Sequence, residues 1–377
     1  MLRSEFLGLL AASGTITPGA PTVLQQSTIG VSVPLSGNLQ NYGEEIVKGV
    51  RAAVDEQNRY STLTRAYGVR TFDDQNNATI ATSNIFTAEA DSTIIGMVGN
   101  LTTEVTLLAL PAYANASMPL VIPATTADVI TTKLYRNIFR LPTKDSSEGQ
   151  LFARAILEGR KPMRVIAVDV DGDYGYDVAR AFMRQAQGDK HNADQLTLDA
   201  TTSAKNAAAV ILAKAPAYIF LAGKPDKLGP VAIELRAQGY TGEFGCSDGF
   251  YTTTTIDTYA KPLNGAIVAS SMPPLDRIPS VATYLPDFRN EVGAITGFSA
   301  YGYAAAQLLI QASQRANATN RLQVLNELEM GGSYTLLIGQ FQFTFGGDAA
   351  QPNIYLFRVT TGGFTYEQAA LPSGFVV

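Results

Sequence analysis

Short unbroken apolar runs alternate along this chain with longer stretches whose apolar positions recur at helical spacing. The first run, "TIGVSVPL", reads as a buried strand. The stretch 42–58 follows with Ile46, Val47, Val50, Ala53 and Val54 on one helical face. The alternation continues through strand "VRTFDD", helix 77–90, strand "TIIGMVG", helix 103–114 and strand "PLVIPA". Strands that alternate with helices predict parallel β-α-β units and a doubly wound sheet.

"NIFRLPTKDSSEGQ" breaks the rhythm: Pro142 ends a strand and 145–147 reads as a helix start. A second series then opens with helix 149–158, strand "RVIAVDVD", helix 174–187 and strand "QLTLDA". It continues through helix 203–213, strand "AYIFLAG", helix 227–238 and strand "EFGCS". After "GAIVASSMPPLD" come helices near 284–292, 299–316 and 320–328. The strand-like runs "YTLLIGQFQFTF", "IYLFRVTT" and "GFTYEQ" follow. The expected fold is α/β, with two doubly wound parallel-sheet lobes. Ligands of such sheets sit beyond the carboxyl ends of the strands. Those ends fall at 34–38, 73–75, 99–103, 123–126, 169–174, 223–226 and 247–250, and two facing lobes make the site an interlobe cleft.

Composition narrows the chemistry. A length of 377 residues favours two domains over one. Hydrophobic residues at 46% supply substantial cores, and charged residues at 16% fall below the roughly 25% of average usage. With a net charge of −5 and no long lysine/arginine cluster, nucleic acid and anionic membrane are poor partners. Cys246 is the one cysteine and His191 the one histidine, so a disulfide within the chain is impossible. The same scarcity argues against a Cys/His zinc site and against Ser-His-Asp or Cys-His catalysis. His191, in "GDKHNADQ", reads as a surface-loop residue, and Cys246 as a small buried one. No G-x-G-x-x-G follows a strand, and "AGKPDKLG" lacks the first glycine and the Ser/Thr of a phosphate-binding loop. We therefore expect no cofactor, no metal and no catalysis.

What the loops offer is hydroxyls, tyrosines and a few charges. Thr103 stands at a helix start, where free backbone N–H groups attract an anion. It either caps the helix or donates to a carboxylate, and the two roles are compatible. In "PATTAD" the Ala124 carbonyl and the Thr126 hydroxyl face an ammonium group, or simply belong to a turn of small residues. Asp248, in "CSDGF", either neutralises an ammonium or caps the helix after Gly249. Tyr42 and Tyr174 begin helices and pack against a ligand or against a lobe edge.

Three blocks, taken in order, resemble the branched-chain amino-acid (leucine/isoleucine/valine) family of type I periplasmic solute-binding proteins of ABC transporters. They are "IGVSVPLSGNLQNYGEEIVKGVRAAVDEQN", "VGNLTTEVTLLALPAYANASMPLVIPATTADVIT" and "VIAVDVDGDYGYDVARAF", and the likeness runs from Ile29 to about Phe345. The resemblance implies two α/β lobes joined by three crossovers near 141–146, 270–276 and 340–345. The first lobe would span 27–143 plus 277–342, and the second 144–276 plus 343–377. It implies a ligand carboxylate held by Thr103 and Thr126. The ammonium would be held by the Ala124 carbonyl, Thr126 and Asp248, with Tyr42 and Tyr174 closing over the ligand. Lys224 stands where leucine-type binders carry a tyrosine, and Glu104 where a serine is common. Asp248 is one methylene shorter than the glutamate of some members, and the cysteine pair of some members is absent. With these departures the resemblance favours an amino acid rather than a branched-chain one in particular.

The implied function is capture of an amino acid or related small carboxylate in the cleft and delivery to an ABC permease. The protein would act outside the cytoplasm, as a monomer without membrane insertion. Segment 1–26 fits this, with a basic residue, a short apolar stretch, then small residues and prolines. Within it, "RSEFLG" resembles a twin-arginine export signal with Ser4 in place of the second arginine. That departure prompts the alternative of a cytosolic amide or amino-acid sensor of the same fold.

Overall fold

Every position of the run Ile94–Gly99 is buried, as a strand covered on both faces requires. The structure, a computed structural model, describes residues 25–60, 65–171, 174–277, 285–292 and 296–370, so the leader-like segment lies outside the described residues up to position 24. The first series gives β1 (Gln25–Val33), α1 (Gln40–Tyr60), β2 (Arg65–Asp73), α2 (Ala78–Glu89), β3 (Ile94–Gly99), α3 (Thr103–Asn115), β4 (Leu120–Ile122), the single turn α4 (Val129–Thr132) and β5 (Ile138–Arg140). The second gives α5 (Asp145–Leu157), β6 (Arg164–Val170), α6 (Tyr176–Gly188), β7 (Asn192–Leu198), α7 (Ala204–Leu212), β8 (Tyr218–Leu221), α8 (Pro225–Ala237), β9 (Glu243–Cys246), α9 (Thr253–Tyr259) and β10 (Ile267–Ser270). The remainder is α10 (Leu285–Val292), α11 (Gly297–Arg315), α12 (Arg321–Glu329), β11 (Tyr334–Leu336), β12 (Gly339–Phe341), β13 (Ile354–Thr360) and β14 (Gly363–Ala370).

Two sheets result. The first has strand order β2-β1-β3-β4-β5 and is parallel throughout. The second runs β14-β13-β10-β9-β8-β6-β7. Its β7 to β10 portion is parallel, while β13 and β14 pair antiparallel at the edge. The parallel-sheet reading of the lobes holds, with this antiparallel edge added to the second. Only Thr361 and Gly362 separate β13 from β14, and so short a connection permits only a hairpin. The run "YTLLIGQFQFTF" likewise folds back on itself as the β11–β12 pair.

Each sheet is covered on both faces. In the first lobe α1 and α11 bury Ile46, Val50, Ala305 and Leu309, while α2 and α3 bury Ile85, Ala109 and Leu110. In the second, α5 and α6 bury Phe152 and Phe182 against Phe220, and α7 and α8 bury Ile211, Leu228 and Val231. Glycines set two helix contacts. A methyl at Gly49 of α1 would stand 2.0 Å from the Ser299 carbonyl oxygen of α11, and one at Gly149 of α5 would stand 2.2 Å from the Val178 carbonyl oxygen of α6. Both helix pairs therefore meet backbone to backbone.

The chain passes between sheets three times. The first passage lies between β5 and α5, and the second follows β10. The third comes after Ala350, later than the expected 340–345. Phe343 packs edge-on against Phe139 at 5.2 Å, and the Arg140 N–H donates to the Gly347 carbonyl at 2.7 Å. Segment 343–350 thus lies along β5 of the first sheet. His191 also departs from expectation: it is buried, accepting from the Met163 N–H at Nδ1 (3.3 Å) and meeting the Leu157 carbonyl at Nε2 (3.2 Å). Cys246 is buried in β9 as read.

Candidate functional site

Three loops interlock at the carboxyl ends of β6, β8 and β9. Gly175 has φ +125°, a conformation suited to glycine, and a Cβ there would stand 2.1 Å from the Ala222 carbonyl. The Ser247 hydroxyl accepts from the Gly223 N–H at 2.9 Å, and Gly249 leaves room for the Tyr174 ring. The arrangement brings the half-buried Tyr174 onto Asp248: the tyrosine hydroxyl bonds Asp248 Oδ1 and also reaches Glu148 Oε2 at 3.1 Å. Glu148, 1% exposed in the first turns of α5, accepts from the Asp248 backbone N–H at 2.8 Å. Asp248 does not cap the following helix, since Thr252 does so by accepting from the Thr255 N–H. Lys224, exposed, precedes α8 at the cap position, next to the Gly223 turn.

Across from this wall, the first-lobe loops are tied together in the same way. Asn100 donates to Asp74 Oδ2 at 2.9 Å, and Thr102 donates to Asn76 Oδ1 at 2.6 Å. Thr103 is the first residue of α3, and Thr102 takes the cap position without a side-chain cap bond, its hydroxyl being spent on Asn76. Capping by Thr103 is therefore corrected, while its place at the helix start stands. The Thr125 hydroxyl lies 3.2 Å from that of Thr106 and joins the "PATTAD" turn, with Ala124 and Thr126, to the start of α3. Tyr42, in the first turn of α1, is 43% exposed and packs its ring against Phe298 at 5.0 Å.

Thr126 and Asp128 both link the lobes: Asp128 accepts from the Ser146 N–H at 3.0 Å, and Thr126 bonds on either side of the passage. Its carbonyl accepts from the Asp145 N–H at 3.1 Å and from the Arg140 guanidinium at 2.9 Å. Its side chain also bonds the Asp145 carboxyl. Asp145 is 5% exposed, and its Oδ1 has no hydrogen-bond partner. Burial pushes this carboxyl up to about 7; the Thr126 bond opposes that, the charges of Asp248 and Asp128 add to it, and Arg140 opposes it. Burial also raises Glu148 well above the carboxylate range, assisted by the charge of Asp248. Asp248 is raised by burial against hydrogen bonds from Tyr174, Glu148 and the Gly249 backbone. Tyr301 of α11, buried, lies close enough for Asp248 to raise its hydroxyl further, after burial itself.

So Tyr174 and Asp248 are in contact, while Thr126 is bonded to Asp145, whose carboxyl feels the charge of Asp248. Thr103 and Ala124 lie on the linked first-lobe loops, Tyr42 on the exposed start of α1, and Lys224 on the exposed rim of the second lobe. A cavity of about 370 Å³ lined by Tyr251, Met272, Leu275, Arg277, Phe357 and Tyr366 sits beside the second passage and contains none of these seven residues.

A sequence model described as periplasmic binding protein matches residues 26–363. The chain belongs to that family. It is 22% identical over 370 residues to a Leu/Ile/Val-binding protein homolog 2 of Brucella abortus, covering 96% of this chain and 97% of that one. It superposes on a leucine-binding protein of Thermotoga maritima with a TM-score of 0.80 at 18% identity, over 93% of this chain and 100% of the other. It also superposes on a solute-binding protein of R. palustris in complex with benzoate, with a TM-score of 0.76 at 17% identity, over 92% and 96%. These likenesses establish the type I binding-protein fold. Among the described residues no helix is long and apolar enough to cross a membrane.

Sequence reasoning missed Asp145, Glu148 and Tyr301. It sought chemistry after strands, whereas these three stand on helices. The signal for the first two was present in "KDSSEGQ": acids three positions apart at a helix start share one face.

Proposed function

We propose that this member of the family is an exported solute receptor. It takes an amino acid or related small carboxylate between its lobes and hands it to an ABC permease. The observation that carries the reading is the contact of Tyr174 with Asp248 at the carboxyl ends of second-lobe strands, beside Asp145, which bonds the Thr126 carbonyl beyond a first-lobe strand. Ligand-binding residues on two facing loop sets are what capture by lobe closure needs. The names of the relatives, Leu/Ile/Val-binding and leucine-binding, support an amino acid.

In this reading the start of α3, with the Thr103 hydroxyl, takes the ligand carboxylate. The Ala124 carbonyl, Thr126 and Asp248 take the ammonium. Tyr42 and Tyr174 close over the ligand, and Lys224 at the rim receives a further acidic group of the ligand. The first lobe binds first; closure is driven by the contacts the second lobe adds, because only contacts that differ between states shift the equilibrium.

A thermal-shift screen of ligand-stripped protein tests this. A ligand at about 100 times its Kd stabilises by roughly 2.7 kcal/mol. With the ligand in hand, Thr126→Ala and Asp248→Ala should each weaken binding several-fold or more by calorimetry. Unchanged affinity in both variants removes these anchors from the site.

A further inference from the structure

The cavity beside the second passage, about 370 Å³, falls in the size range of small-ligand pockets. Its aromatic wall follows from the pairing of β13 with β14. The register sets Phe357 opposite Tyr366, and Phe364 lies two positions away along β14, on the same face. Tyr251, from the turn beyond β9, packs against both phenylalanines, its ring centre 4.5 Å from that of Phe357 and 4.6 Å from that of Phe364. Phe357 is buried and the other three rings are half-buried. Burial pushes the Tyr251 hydroxyl up to about 12, with the charge of Asp276 adding to it, so this wall is neutral at pH 7.

The mouth is charged. Arg277 and Arg289 both line the cavity and are exposed. The Arg277 guanidinium lies over the Tyr366 ring, 5.3 Å from its centre, which holds its charge against the aromatic wall. Among the described residues neither arginine makes an ion pair. The hairpin's own acid, Glu367, is bonded to Arg358, and Asp276 offsets only one of the two charges at the mouth.

Both lobes build this cavity. Met272 and Leu275 belong to the first-lobe core, and Arg289 stands on α10 next to Phe288, which packs on Tyr303 of α11 at 4.9 Å. The β13–β14 hairpin belongs to the second sheet, and Tyr251 touches the cores of both lobes. The Tyr251 N–H donates to the Asp248 carbonyl at 2.8 Å, so one short turn carries the cleft acid and a wall of the cavity.

We propose that this cavity is a second small-ligand site, for a flat apolar anion whose ring lies against Tyr251, Phe357 and Tyr366 and whose charge meets Arg277 and Arg289. Its occupant touches both lobes beside a segment that joins them. The site is separate from the cleft and does not depend on what the cleft binds.

The chain has no tryptophan, so a naphthyl probe can be followed by its own emission. The test compares 2-naphthoate with 2-naphthylmethanol, the same ring without the charge, on wild type, and 2-naphthoate on Arg277→Gln, Arg289→Gln and Thr103→Ala. The expected result is one naphthoate per chain, bound about tenfold tighter than the alcohol, and a loss of several-fold or more in each glutamine variant, as removal of a charged hydrogen bond predicts. Equal affinity for acid and alcohol overturns the inference, as does naphthoate affinity unchanged in both glutamine variants. Loss of binding in Thr103→Ala with retention in the glutamine variants places the probe in the cleft and overturns it too. So does a failure of naphthoate to bind at millimolar concentration. Both arginines are exposed, so replacing them leaves the core intact, and the comparison of acid with alcohol needs no variant. None of these results bears on the cleft reading, which stands or falls by its own ligand screen.

Discussion

Replacing Asp145 by asparagine isolates one buried carboxyl whose Oδ1 lacks a hydrogen-bond partner. In the folded chain this group titrates near 7 instead of the ordinary 3.8, and burial is the main cause. The folded state therefore holds a proton that the unfolded state has released across that interval. Stability from this group is fully present below about pH 4 and is lost as pH rises through 7. A shift of about three units at 1.36 kcal/mol each amounts to roughly 4 kcal/mol, of which about 2–3 falls between pH 5 and pH 8. Asparagine has the shape of the neutral acid and no such titration. Urea unfolding of wild type and Asp145→Asn at half-unit steps from pH 5 to pH 8 measures the difference. The variant's stability relative to wild type should climb by that amount with rising pH. Glu148 and Asp248 remain in both proteins, and the repulsion between their charges and that of Asp145 is part of the difference measured. A gap that stays constant, or that closes toward pH 8, refutes the assignment of a raised carboxyl at this position.

Two further substitutions probe what holds the site in place. Gly149→Ala puts a carbon 2.2 Å from the Val178 carbonyl and 2.8 Å from the Phe182 nitrogen, so α5 must move off α6. Overpacking of this kind costs typically 1–3 kcal/mol in chemical unfolding, and the displaced neighbour Glu148 should lose ligand affinity as well. Arg140→Met strips a fully buried guanidinium from Asp348, the Thr126 and Ala127 carbonyls and the Thr131 hydroxyl. Breaking a buried pair by removing one partner costs about 3–5 kcal/mol. A loss below 1 kcal/mol in urea unfolding would show that the network around Arg140 is not what fixes the Thr126 turn.

The sequence foretold elements best where burial is continuous. The run that became β3 is apolar at nearly every position, and the expected helix at 103–114 matches α3 to within a residue. The helix expected after Gly249 is α9, but its extent is not legible because "TTTIDTY" offers few apolar positions to set a period; it is held by the Thr252 cap and by burial of Thr255 and Tyr259. His191 misled because its polar neighbours are exposed while its ring turns inward to backbone groups supplied by residues some thirty positions earlier. Tyr174 and Asp248 stand out in the sequence because each lies in a loop beyond an apolar strand, and the structure brings the two into contact. The acids that complete their surroundings do not stand out, since a carboxylate in a helix's first turn ordinarily serves the helix dipole and faces water. Glu148 instead turns inward, to the Asp248 N–H and the Tyr174 hydroxyl.

The pairing of α1 with α11 has a consequence for synthesis. The Tyr303 hydroxyl of α11 bonds Glu56 of α1 across 247 positions of chain. Helix α1 therefore emerges from a ribosome long before the surface that covers it exists, and the whole parallel part of the second sheet is made in between. At about 5–20 residues per second, the uncovered face of α1 waits for roughly ten seconds or more. The second sheet's parallel strands, contiguous in the chain, meet no such delay. The lobe that is begun first thus keeps an apolar helix face uncovered while most of the other lobe is made, and in that interval the face is open to chaperones.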